Sequence, residues 1–336
     1  MTISVTGVGL IAPGVSTVED LAASDVRVPA DGVAVGGAPT DGDPVDDDPG
    51  WFDPVPHLGR RGWKYLTPAT RYLLAAANIA TGREPGDKRA LNGRATRSGV
   101  CVGTHRAIEA VHASMDRTVR EHGPAGLSPA ELPGFSANMP ASQLAIGMAC
   151  RAFSVTLTNP VVGGLDAVFF AMSALRRGRA DEVLAAATDE ACAAAGTLGG
   201  AAVLRLVRGR HPEAGRLVHC VSRFVPYSTA GGWEPTALRA AAHRISALGE
   251  RERRARFAYC GSAATTPVAE AVREAFAGAG VVIEDAAFVG ADARFGTVSP
   301  LLQLAGLLGG PGPGLVVAVS DDGHLAALTV DGPGDA

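Results

Sequence analysis

The stretch that decides the fold is Ser154–Glu190, SVTLTNPVVGGLDAVFFAMSALRRGRADEVLAAATDE. It opens in a β-branched, apolar run, FSVTLTNPV (153–161), which reads as a strand. Pro160 breaks the run, and the pair Gly163-Gly164 opens a helix over 163–178, GGLDAVFFAMSALRRG. A second strand follows over 180–190, apolar from Val183 to Ala187 between Asp181-Glu182 and Thr188-Asp189-Glu190. Strand, tight turn, helix and strand in this order describe a unit in which a helix crosses between two neighbouring strands of one sheet.

The same alternation runs outward in both directions. Upstream lie a strand over 2–11 (TISVTGVGLI), a helix over 67–82, a strand over 98–104 and a helix over 105–120. In that last helix Ile108, Val111 and Met115 form the expected core stripe. Downstream come a strand over 215–224, a helix over 235–256, strands near 256–262 and 286–290, and helices over 267–278 and 298–308. A hairpin around Asp321-Asp322-Gly323 closes the chain. The pattern is α/β and falls into two similar halves, 1–205 and 206–336, without an evident sequence repeat between them.

Composition removes several function classes. The 336 residues are 47% hydrophobic and 19% charged, with 30 basic against 34 acidic side chains and a net charge of −4. That balance argues against nucleic acid or an anionic membrane as a bulk-charge partner. There is no basic-then-apolar leader pattern and no run long enough for a membrane span, so a cytoplasmic protein is expected. The five cysteines, Cys101, Cys150, Cys192, Cys220 and Cys260, are scattered and form no CxxC pair. Neither a disulfide frame nor a zinc site is expected. Residues 31–56 hold seven Asp and no Lys or Arg. They read as a solvated acidic loop, the alternative being a metal site from Asp43, Asp46, Asp47 and Asp48. Gly7-Val8-Gly9-Leu10-Ile11-Ala12 fits a dinucleotide pattern, but Pro13-Gly14 stops the helix such a site needs. The other reading is that these glycines let a second backbone come close.

The segments TGVGLIAPG (6–14) and 154–190 resemble the β-ketoacyl synthases of the thiolase fold. The resemblance implies two α/β halves with stacked, mainly parallel five-stranded sheets in an αβαβα layering. It also aligns the family's catalytic positions with residues of this chain. The nucleophilic Cys falls on Val161. The first His falls on Cys260, within Cys260-Gly261-Ser262, and the second falls near Thr297, within Arg294-Phe295-Gly296-Thr297. No lysine follows Lys88, so the family's catalytic Lys has no counterpart in the second half. Ser320-Asp321-Asp322-Gly323-His324 stands where a Gly-rich turn helps form the oxyanion hole. Valine offers neither a nucleophilic atom nor a proton, so no catalytic residue, cofactor or metal is expected.

Val161-Val162-Gly163-Gly164-Leu165-Asp166-Ala167 is most similar to the chain-length factors, the non-condensing partners of type II polyketide ketosynthases. That resemblance implies an active ketosynthase as partner in a heterodimer, an acyl carrier protein, and a growing acyl chain whose tunnel this subunit closes. The expected tunnel and interface positions are Glu109, His112 and Asp116 on one helical stripe, with Phe153, Val155, Val161, Gly163 and Gly164. A solvated polar face is the plainer account of the first three. Two other functions stay open: a stand-alone thiolase-fold acyltransferase with relocated residues, and a purely stabilising scaffold. Cys150 and Cys260 read as buried thiols rather than nucleophiles, and His219 as a core or interface histidine. His324 marks the altered turn. Arg251, Arg253, Arg254 and Arg256 form either a basic docking face or a solvated one.

Overall fold

A computed structural model gives the fold and describes residues 2–15, 17–22, 50–63, 65–87, 89–129, 132–192, 196–228, 232–247, 254–286, 288 and 293–333. Asp43, Asp46, Asp47, Asp48, Arg251 and Arg253 lie outside the described residues. The first half contains β1 (Ile3–Ile11), α1 (Val18–Ala22), α2 (Val55–Leu58), α3 (Pro68–Thr81), β2 (Ser98–Gly103), α4 (Glu109–His122), α5 (Met139–Gly147), β3 (Ser154–Leu157), α6 (Gly163–Arg176), β4 (Glu182–Asp189) and β5 (Gly200–Arg208). The second contains β6 (Gly215–Phe224), the short ribbon β7 (Tyr227–Ser228) and β8 (Gly232–Trp233), α7 (Pro235–Ser246), β9 (Arg254–Cys260), α8 (Thr266–Gly278), β10 (Val282–Asp285), α9 (Ser299–Gly309), β11 (Pro313–Val319) and β12 (His324–Asp331).

The strand order reads β3-β2-β4-β5-β1 in one half and β10-β9-β11-β12-β6 in the other. Each half follows the same rule. The outer three strands are parallel, and the next two pairings are antiparallel. Parallel pairing is thus confined to the outer strands, where crossover helices connect them. The two sets join where Ile3, Ser4 and Val5 pair with Leu217, Arg216 and Gly215. We place the seam between the halves in the turn after Arg208, because β5 runs through residue 205.

Three cores separate five layers. The middle core takes Leu165, Val168, Met172 and Leu175 of α6 and Leu301, Leu304 and Leu308 of α9, held between both sheets. Alternation along each strand assigns the layers. In β4, Val183, Ala185 and Ala187 face the middle core while Leu184 and Ala186 face α3 and α5. In β12, Ala326, Leu328 and Val330 face the middle and Leu325 and Ala327 face α7 and α8. Each fully buried aliphatic side chain contributes about 1.5–3 kcal/mol. The layering is αβαβα, as expected.

Local chemistry sets the helix ends. Thr67 caps α3 by accepting from Thr70 N, Pro68 occupies the first turn, and Gly82 at φ 62° ends it. Glu234 caps α7 by accepting from the N–H groups of Thr236 and Ala237, and these bonds hold its carboxyl below the ordinary range. Gly7 and Gly9 lie within β1, where an added Cβ would run into the carbonyls of Ala80 and Ala76. They let α3 lie directly on the strand, which is the close-backbone reading of that motif.

Several expected boundaries move. The helix of 235–256 ends at Ser246, and the strand near 286–290 is β10, Val282–Asp285. In α4 only Met115 of the expected core stripe is buried, because the helix packs chiefly on the short turns at 124–126 and 132–135. His219 is exposed on β6 rather than sitting in the core. Arg256 is drawn inward, and its Nη2 donates to the carbonyls of Leu307, Gly310 and Gly312 at 2.5, 3.0 and 3.2 Å. It therefore holds the end of α9 instead of facing a partner. Arg254 pairs with Glu284 at 3.2 Å.

Candidate functional site

The site forms where the sharp turn between β3 and α6 meets the start of α9. Val162 N donates to Pro160 O at 2.6 Å and Gly163 N to Asn159 O at 3.0 Å, so the chain reverses within a few residues. Val161 sits at the apex with φ 60°. A β-branched residue in that left-handed region costs about 1–3 kcal/mol and persists only where its surroundings impose it. Here they do. Asp166 accepts from Asn159 Nδ2 and from Ser222 Oγ, both at 2.8 Å, tying the turn to β6 of the other half. Gly163 and Gly164 let the helix start close against the 296–301 segment. A Cβ on Gly164 would lie 2.5 Å from Thr297 O, and one on Gly163 would lie 3.3 Å from Thr297 Cγ2.

Thr297 stands opposite this turn and is fully buried. Its hydroxyl donates to Asp189 Oδ2 at 2.5 Å and its N–H to the same oxygen at 3.0 Å. Asp189 Oδ1 accepts from Thr104 Oγ1 at 3.1 Å and from the N–H groups of His105 and Arg106 at 2.7 Å each. One buried carboxylate thus closes the loop after β2, the end of β4 and the loop before α9. Gly296, at φ 52°, leaves room for it, since a Cβ there would come within 2.9 Å of Asp189 Oδ2.

Cys260 ends β9 and is 1% exposed. Burial pushes its thiol up to about 12, only partly offset by a hydrogen bond with Ser299. Cys150 is raised to about 12 in the same way. Burial in apolar surroundings disfavours the thiolate at both. At the turn after β11, Ser320 Oγ bonds Asp322, and His324 Nε2 lies 4.0 Å from the same carboxylate. Asp322 therefore stands between Ser320 and His324. Activation of a serine needs the histidine in that middle place. Ser262 Oγ bonds Asp321 Oδ1 at 2.5 Å.

The structure therefore brings Val161, Gly163, Gly164 and Thr297 together, with Cys260 bonded to Ser299 two residues beyond Thr297. Glu109 pairs with Arg106 at 2.5 Å and accepts from Cys192 Sγ at 3.5 Å. His112 is exposed, stacks on Phe135 with ring centroids 4.0 Å apart, and faces Phe135 O at 3.2 Å. Asp116 pairs with Arg120 at 2.8 Å. Within this chain the three form a satisfied polar stripe on α4. Val155 is half-buried on β3, the outermost strand of its sheet, and Phe153, also half-buried, immediately precedes it. Asp189, Asp166, Asn159 and Ser222 went unread as site residues. The signal for Asp189 was a carboxylate closely following the apolar run of residues 183–187.

Among the described residues, no group of three or more His, Cys, Asp or Glu is placed to hold a metal ion. No helix among them is long and apolar enough to cross a membrane.

Comparison with known proteins gives this site its context. The fold is similar to the ishigamide ketosynthase/chain length factor, with a TM-score of 0.72 at 20% identity over 99% of this chain and 100% of that one. It is also similar to AntDE:AntF, a type II polyketide synthase acyl-carrier protein in complex with its ketosynthase bound to the hexaketide. There the TM-score is 0.75 at 18% identity over 98% and 99% of the two chains. A third similar structure is the oxazolomycin ketosynthase domain OzmH KS8 of Streptomyces albus JA3453, with a TM-score of 0.66 at 14% identity over 99% and 96%. A search of curated protein sequences gave no match. The family model for the β-ketoacyl synthase N-terminal domain matches residues 1–213. The chain belongs to the β-ketoacyl synthase family.

Proposed function

We propose that this chain is a non-condensing ketosynthase-like subunit, a chain-length factor. It pairs with an active ketosynthase and shapes the tunnel for the growing acyl chain in type II polyketide or polyene biosynthesis, with an acyl carrier protein as the third party. The observation that carries this reading is Val161 at the apex of the turn, held at φ 60° with a hydrocarbon where a thiolate would attack. A decarboxylative condensation needs a nucleophile and groups that stabilise the enolate and the oxyanion. The positions aligned with those groups hold Val161, a hydroxyl committed to Asp189 and a buried, neutral thiol.

Two further features support pairing. The β3 edge is free of charged side chains, reading Ser-Val-Thr-Leu. The opposite edge strand, β10, carries Glu284 and Asp285 in ion pairs with Arg254 and Arg273. Charged edges resist strand addition and uncharged ones permit it. Helix α4 buries only Met115, which leaves its remaining surface for another subunit.

Co-expression with a candidate ketosynthase tests the reading. A stable one-to-one complex that makes product is expected, and neither protein should make it alone. In that complex His112→Trp should shorten the product without separating the subunits, because a larger wall residue stops growth earlier. Product made by the isolated chain would overturn the proposal. Unchanged product length in an intact complex would remove His112 from the tunnel wall.

A further inference from the structure

Far from the site, three arginine turns that are distant in sequence come together: Arg97 and Arg208 share the Asp181 carboxylate, and Gly178 of the third lies beside Arg208. The turns are RATR at 94–97, RGR at 177–179 and RGR at 208–210. Asp181 N donates to Arg97 O at 2.9 Å and Arg208 N donates to Asp181 O at 3.2 Å, so main-chain bonds fix the convergence. Arg97 grips the Asp181 carboxylate with Nε at 3.1 Å and Nη2 at 2.7 Å. Arg208 approaches it at 3.6 Å. Arg151 borders the group, its N–H donating to Ala95 O at 2.8 Å. Arg94, Arg151, Arg179, Arg208 and Arg210 are exposed.

Asp181 is in ion pairs with Arg97 and Arg208. The other acid in these segments, Glu182, is buried and held by Arg205 at 2.7 Å. The Asp181 carboxyl sits below its ordinary range, chiefly through the Arg97 bond, with the fields of Arg208 and Arg94 adding to it. Arginine thus outnumbers acid in these segments, on a chain whose net charge is −4. A cation beside the C-terminus of α6 favours the helix dipole and accounts for Arg177. It does not account for Arg94, Arg151, Arg208 or Arg210, which come from other segments.

We propose that this surface docks an acidic segment of a partner protein through its carboxylates. The basic side chains here are all arginine, whose planar fork matches a carboxylate in two bonds, and Arg97 already shows that geometry on Asp181. The three turns carry no aromatic side chain, which single-stranded nucleic acid needs for base stacking. Arg151 lies shortly before β3, so the surface adjoins the free edge of the sheet and stays within reach of a protein bound there. The proposal stands on these contacts and not on the chain-length reading.

The test is a titration of the full chain with fluorescent polyglutamate, with a single-stranded oligonucleotide and phosphatidylglycerol vesicles as competitors. Polyglutamate should bind at low salt and be released by high salt. The double variant Arg94→Ala/Arg210→Ala, which leaves the Arg97–Asp181 pair intact, should weaken binding about tenfold or more, equivalent to about 1.4 kcal/mol, at an unchanged melting temperature. Equal affinity of the variant and the parent would overturn the proposal. So would tighter binding of the oligonucleotide or the vesicles than of polyglutamate.

Discussion

Val161 holds a left-handed backbone, φ 60°, at the apex of the turn into α6 and presents only carbon there. The turn survives because Asp166, Gly163 and Gly164 impose it. Gly164→Ala tests that claim. Alanine gains about 1 kcal/mol of helix propensity over glycine, but its Cβ would lie 2.5 Å from Thr297 O and 2.7 Å from Leu301 Cδ1. Overlap of that kind costs about 1–3 kcal/mol or more, so urea denaturation should show net destabilisation. A variant as stable as the parent would mean the turn is not clamped. Buried thiols set a pH dependence. Cys150 and Cys260 are raised from the ordinary 9.0 to about 12. Their contribution is fully present below 9.0 and is lost as pH rises toward 12, because the unfolded thiols ionise first. At one unit above 9.0 the loss is about 1.4 kcal/mol per thiol. Denaturation midpoints measured one unit below and one unit above that value should fall accordingly, and an unchanged midpoint would contradict the burial. The packing role of Gly7 and Gly9 was legible in the sequence, since it depends on a residue type in a local motif. The Asp189 and Asp166 contacts were not, because their donors come from elements far apart in the chain.

Strands and helices with a strong period read correctly, and weak ones did not. The segment β3–α6–β4 was legible because Pro160, Gly163 and Gly178 punctuate it. Strand β5, Gly200–Arg208, was missed: it is apolar nearly throughout and follows a Gly-Gly pair, so it carries no clear alternation. Helix α7 was read too long because the arginines of 251–256 have good helix propensity, yet from Arg254 the chain enters β9. The α4 stripe failed for another reason. Ile108, Val111 and Met115 show helical spacing, but spacing says nothing about whether a partner element covers them. Strand β3 offers the direct test of pairing. The carbonyls of Phe153 and Leu157 accept from Val100 N and Thr104 N on β2. Alternation then turns the backbone of Ser154 and Thr156 outward. Ser154→Pro removes an outward N–H and should abolish complex formation with the ketosynthase while the chain alone stays folded. A complex of unchanged affinity would show that β3 is not the seam.

The two halves share one strand order although no repeat is evident in the sequence. What they hold in common is pairing and layering, and many apolar sequences satisfy those. Between them, α6 and α9 fill the middle core, and Asp189 and Asp166 cross the seam with hydrogen bonds. The molecule thus keeps a ketosynthase fold, and its α/β layering was readable in the sequence where the contacts at its centre were not. The proposal that it acts as a partner rather than a catalyst requires that the chain take up no acyl group of its own. Intact-protein mass spectrometry measures this directly, after the full chain alone is incubated with an acyl-carrier-protein thioester. The account predicts an unchanged mass. An added acyl group, released by hydroxylamine as a thioester would be, would contradict it.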